Sequence, residues 1–169
     1  MPHWSDTIVE ALRAHSIRIV PYVPDAVGWQ VLSKLDADPA FHTVPCAREE
    51  EAIGIAAGAI ATGTKAAVFM QSSGFGNTVN ALAQLAVASR VGMPLFIGMR
   101  GGLGEFNAVQ VPAAQAIPGI LDELNIQHYA PQREDELAKT VDGALTLATS
   151  SRFPVAVLLY SILVGAKRA

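Results

Sequence analysis

Three consecutive glutamates, Glu49, Glu50 and Glu51, stand between a short apolar run and a segment built almost wholly of Ala, Ile and Gly. A carboxylate pressed against such a surface loses hydration. That disfavours its charged form and lets it hold or exchange a proton near neutral pH. Successive helical residues point about 100° apart, so the three cannot share one environment. All three also suit the positive end of a helix dipole, and for Glu50 and Glu51 that structural role is the simpler reading.

A second polar cluster is Gln71-Ser72-Ser73-Gly74-Phe75-Gly76-Asn77. Its glycines let backbone N–H groups approach a ligand, and Asn77 is expected to cap the helix that follows. Neither the dinucleotide glycine pattern nor a P-loop is met, since no lysine follows in place. On its own the segment reads as a tight strand-to-helix turn. A third, residues 100–110, is longer than a strand-to-helix connection needs. Arg100 opens it and can grip an anionic group bidentately, or pair with Glu105.

Other residue types narrow the chemistry. His3, His15, His42 and His128 are scattered without ligand spacing, so no metal site is assigned to this chain. Arg48 is a further cation near the glutamates, and Arg90 is placed on a solvated helix face. Cys46, the single cysteine, reads as a buried inert thiol rather than a nucleophile. Ser72 and Ser73 lack the G-x-S-x-G elbow of serine hydrolases.

The elements that must hold these residues alternate. Helical periodicity over residues 4–15, 26–35, 49–62, 77–91, 113–124 and 135–148 is interleaved with strand-like runs. The runs are 17–23, 43–44, 66–70, 94–99, 126–129 and 155–160. Residues 71–76 and 100–111 are expected to be loops. The pattern predicts an α/β fold: a three-layer α/β/α sandwich around a mostly parallel, roughly six-stranded sheet, as one domain over residues 1–169. Ligands of such sheets bind beyond the carboxyl ends of the strands. Residues 24–25, 46–49, 71–77 and 100–110 fall there, and they carry the polar residues of interest.

Composition agrees. Hydrophobic residues are 51% and charged residues 16%, which suits a sheet covered on both faces or a domain that hides surface in an assembly. The net charge of −3 leaves no basic stripe for nucleic acid. No leader pattern opens the sequence, and the most apolar stretch, residues 153–165, is too short to span a bilayer. A soluble, cytoplasmic domain is expected.

Residues 48–59, Arg-Glu-Glu-Glu-Ala-Ile-Gly-Ile-Ala-Ala-Gly-Ala, followed by 69–77, Phe-Met-Gln-Ser-Ser-Gly-Phe-Gly-Asn, resemble the pyrimidine-binding domain of thiamine-diphosphate enzymes. In that family a glutamate precedes a glycine of the same helix by nine residues, and Glu49 with Gly58 fits that spacing. Residues 23–25, 48–51, 70–74 and 104–107 look most like the alpha subunits of sulfopyruvate decarboxylase and the related phosphonopyruvate decarboxylases. The resemblance implies that Glu49 bonds N1′ of the cofactor's aminopyrimidine and favours its imino tautomer. That tautomer takes the C2 proton of the thiazolium, and a 2-keto acid is then decarboxylated.

By the same resemblance Ser72, Ser73, Gly74, Phe75 and Asn77 form the second cofactor-binding element. Asp25 and Gln71 are candidates for proton transfer, and Gln71 and Arg100 for holding a small anionic 2-keto acid. The family binds diphosphate through Mg²⁺ with a Gly-Asp-Gly motif and a later asparagine. Here the only Asp-Gly is Asp142-Gly143, with no asparagine after it. The resemblance therefore implies a hetero-oligomer in which a beta subunit carries the diphosphate and Mg²⁺ site. Another split thiamine enzyme, or a non-catalytic flavodoxin-like binding module, is the alternative.

Overall fold

The computed structural model describes residues 3–165, so residues 1–2 and 166–169 of the expected domain lie outside the described part. Six strands form one sheet: β1 (Ile19–Tyr22), β2 (His42–Pro45), β3 (Val68–Gln71), β4 (Pro94–Met99), β5 (Gln127–Tyr129) and β6 (Val155–Tyr160). Their order is β2-β1-β3-β4-β6-β5, and every pairing is parallel.

The strands are apolar on both sides, and alternate residues enter two separate cores. Val20, Phe69, Phe96 and Val157 face the helices α1 (Trp4–Ala14), α2 (Trp29–Asp36) and α7 (Glu134–Ser151). Phe69 and Phe96 stack there with centroids 4.6 Å apart and planes 7° from parallel. On the opposite side Val68, Met70, Leu95 and Ile97 meet α3 (Glu49–Ala61) and α6 (Gln110–Glu123). The helix–sheet–helix layering follows from this division. None of the described helices is long and apolar enough to cross a membrane.

Three local expectations are corrected. The chain turns helical directly after β3, as α4 (Ser72–Phe75), with no intervening loop. The stretch expected as one helix over 77–91 is a 3₁₀ turn (Gly76–Thr78), α5 (Val79–Ala81) and a π-helical turn (Leu82–Val87). Asn77 is exposed inside the 3₁₀ turn and caps nothing, because the helical path has already begun five residues earlier. A last short helix, α8 (Ser161–Val164), was not foreseen from the sequence.

Candidate active site at the carboxyl edge of the sheet

β1 and β3 are neighbours, although the chain visits β2 between them. At such a switch point the connections leave in opposite directions and open a crevice beyond the strand ends. The start of α3 and the whole of α4 border it.

The three glutamates separate as a helix start requires. Glu51 turns back, and its Oε2 accepts the Ala47 N–H at 2.9 Å, satisfying one donor ahead of the helix. Glu50 pairs through Oε1 with Arg48 Nε at 2.8 Å, while its Oε2 is buried without a hydrogen-bond partner among the described residues. Glu49 does neither. Its half-buried side chain has no hydrogen bond or ion pair among the described residues and lies directly over the α-carbon of Gly74. A Cβ at Gly74 would stand 1.7 Å from Glu49 Oε1, 1.9 Å from Cδ and 2.6 Å from Oε2. Gly74 is helical, so it is needed for space and not for an unusual backbone angle.

Asp25 follows β1. Its Oδ1 accepts the N–H groups of Val27 at 2.6 Å and Gly28 at 2.8 Å, an Asx turn that leads into α2. Gly28 makes room for it, since a Cβ there would come within 2.9 Å of Oδ2, while a Cβ on Gly98 would come within 2.7 Å of the Val27 Cβ in the same turn. Burial pushes the Asp25 carboxyl above its ordinary value. The backbone bonds from Gly28 and Val27, the Gln71 side chain and the charge of Arg100 oppose that shift. The sheet register sets Gln71 beside Gly98, which brings Gln71 to the Asp25 loop. Ser73 Oγ donates to Gln71 Oε1 at 2.9 Å.

Ser72 is buried, and its Oγ accepts the Arg100 N–H at 3.0 Å, tying the end of β3 to the end of β4. Phe75 is buried in the core under α4, so its side chain is unavailable to a ligand. Asn77 is exposed, away from any hydrogen bond among the described residues. Of the seven-residue cluster, Gly74 lies against Glu49, Gln71 is half-buried beside Asp25, Ser73 and Asn77 are exposed, and Ser72 and Phe75 are buried.

Arg100 forms a fork with Glu105: Nε and one terminal nitrogen each donate at 2.7 Å. Glu105 also accepts the N–H groups of Gly101 and Asn107, both at 3.0 Å. The Arg100 bonds, then those backbone bonds, hold the Glu105 carboxyl down to about 2. The bidentate grip on an external anion expected of Arg100 is thus occupied by Glu105, and only its other terminal nitrogen is without a partner among the described residues. The Arg100 guanidinium also lies 5.7 Å from the Phe106 ring centroid.

A cavity of about 420 Å³ opens beside this pair, lined among others by Trp29, Gln30, Arg100, Glu105 and Ser161. Trp29, Gln30 and Ser161 were missed in the sequence. Ser161 could have been found only through its bond to the Leu103 carbonyl, 58 residues away along the chain. Cys46 is buried as expected, and its thiol is pushed up by that burial and then by the charge of Glu51.

Residues 3–101 match the family model described as thiamine pyrophosphate enzyme, N-terminal TPP binding domain. The chain therefore belongs to the family of thiamine pyrophosphate enzymes and carries their N-terminal cofactor-binding domain. It is 34% identical to the sulfopyruvate decarboxylase subunit alpha of Methanococcus maripaludis, over 92% of this chain and 93% of that one. It is 36% identical to the subunit of the same name from Methanocaldococcus jannaschii, over 89% of both. Among solved structures it resembles the thiamine diphosphate-dependent 4-hydroxybenzoylformate decarboxylase of Rhodococcus jostii RHA1, with a TM-score of 0.78 at 21% identity. That match covers 99% of this chain and 32% of the other, so the chain spans about a third of that structure.

The residues present fit the cofactor's pyrimidine end. A carboxylate without a partner among the described residues, held at a helix start over a glycine whose missing Cβ leaves room for it, offers an acceptor to a ring N–H.

Proposed function

We propose that this chain is the alpha subunit of a thiamine-diphosphate-dependent decarboxylase. Its substrate is a small anionic 2-keto acid, with 3-sulfopyruvate first and 3-phosphonopyruvate of the same chemistry. The observation that carries the proposal is the Glu49 carboxylate seated on Gly74 with no partner among the described residues. Sulfopyruvate decarboxylase alpha subunits as relatives over nearly the full chain support the substrate class.

When bound, thiamine diphosphate supplies the thiazolium carbon that attacks the keto group and the ring that takes up electrons as CO₂ leaves. Glu49 shares a proton with N1′ of the aminopyrimidine, and the apolar side of α3 (Ala52, Ile53, Ala56) limits water behind it. Ser73, Gly74 and the exposed Asn77 line the cofactor's approach, while buried Ser72 and Phe75 fix the path of α4. Asp25 Oδ1 is spent on its own turn, so Oδ2 is left to move a proton, with the Gln71 side chain beside the carboxyl. The terminal nitrogen of Arg100 not bonded to Glu105 is left for the substrate's distal anion.

A beta subunit is proposed to hold the diphosphate through Mg²⁺. Exposed apolar side chains at this edge support such a partner: Leu103 is 88% and Val109 81% exposed, and Trp29, Phe106 and Ile162 are also open. The test is to titrate thiamine diphosphate and Mg²⁺ into the chain alone and mixed with its partner chain, with 3-sulfopyruvate as substrate. Activity confined to the mixture supports the proposal; full activity of the isolated chain overturns the split site.

A further inference from the structure

The opposite, amino-terminal edge of the sheet holds a cleft of about 440 Å³ for which the proposed reaction has no use. It lies where the chain enters β3, β4 and β6, so the whole sheet separates it from Glu49. Lys65, Arg90 and Arg152 line it, and no acidic residue does. In a chain of net charge −3 that is a local reversal of sign. Lys65 Nζ spends one proton on the His15 carbonyl at 3.1 Å. The guanidinium groups of Arg90 and Arg152 make no hydrogen bond or ion pair among the described residues.

Both arginines also sit in left-handed backbone, with φ of 52° and 55°. The angle belongs to the helix ends they close: at Arg90 the Arg90 and Val91 N–H groups bond the Val87 and Ala86 carbonyls at 3.1 and 2.8 Å, and Arg152 caps α7. Thr64 and Thr149 add hydroxyls to the rim. Ile17, Val91 and Pro94 give an apolar floor. Apolar floor, cationic rim and a volume within the usual range for small-molecule sites together define a ligand chemistry.

We infer that this cleft is a second binding site, for an organic anion with an apolar or planar body of up to nucleotide size. The body lies on Ile17 and Val91, and the phosphate or carboxylate meets Arg90 and Arg152, where charge-assisted bonds are available. The arginines stand near the ends of the preceding helices, so each also meets helix carbonyl charge. That role alone would stabilise the fold without any response to a ligand.

Calorimetric titration of the full chain with phenyl phosphate and with adenosine 5′-monophosphate separates the two. Saturable binding of at least one probe is expected, with affinity falling about tenfold or more in Arg90→Gln/Arg152→Gln. Ser89→Glu, which puts a negative charge on the rim and keeps both arginines, should weaken binding similarly. It serves if the double variant folds poorly. No saturable heat with either probe, or unchanged affinity in both variants, overturns the inference. So does a double variant that folds but no longer pairs with its partner chain, because the cleft would then be a protein interface.

Discussion

Replacing Gly74 by alanine tests the placement of Glu49 without touching its chemistry. The new Cβ would stand 1.7 Å from Glu49 Oε1, and ordinary contact begins at 3.4 Å, so the oxygen must retreat by the difference, 1.7 Å. The atom that yields is the end of a flexible side chain, and position 74 is helical, so the fold absorbs the change. Alanine is the better helix former by about 1 kcal/mol, which favours equal or greater stability. Catalysis does not tolerate the same shift: a misplacement near 1 Å costs about 100-fold in rate. The assay is turnover of 3-sulfopyruvate by the assembled enzyme, alongside thermal unfolding of the same preparations. Gly74→Ala should lose about 100-fold in kcat with an unchanged melting temperature. In a Glu49→Gln background it should cost little more, because both changes act on one carboxylate. Wild-type turnover by Gly74→Ala, or an equal further loss in the Glu49→Gln background, would show that Gly74 does not act through the Glu49 carboxylate.

Other expectations follow from the same edge of the sheet. Ser72→Ala leaves the part-buried Arg100 N–H without its acceptor, so denaturant unfolding should show a loss of about 1 kcal/mol. Glu105 has its carboxyl lowered from 4.5 to about 2, so it contributes stability above 4.5 that is lost as pH falls through 2. The stability gap between wild type and Glu105→Gln should therefore be widest above pH 4.5 and close on acidification. Asp25 is shifted the other way, so its contribution is fully present below 3.8 and lost as pH rises through the raised folded value. Asp25→Asn, which keeps an acceptor for Val27 and Gly28, should gain on wild type over that rise.

The layered α/β fold was legible because strand and helix periods alternate cleanly, and β4 and β6 have the bounds their apolar runs predict. The place of Glu49 was legible from the small apolar residues after it. What Gly74 does was not. A glycine beside serines suggests a turn, yet here it is helical and clears space for a carboxylate 25 residues earlier in the chain. Asn77 misled for a related reason: capping preference is local, whereas the helical path was set from Ser72 onward by burial of Ser72 and Phe75. The Arg100–Glu105 pair was visible as one of two options. Only the structure shows that two backbone N–H groups join Arg100 on the same carboxylate.

On the proposed function, Glu49 drives proton exchange on the cofactor. The direct measurement is the rate of hydrogen–deuterium exchange at C2 of thiamine diphosphate bound to the assembled enzyme, followed by NMR after acid quench. Glu49→Gln should slow that exchange by about 100-fold or more with the cofactor still bound. Exchange at the wild-type rate in that variant would contradict the account.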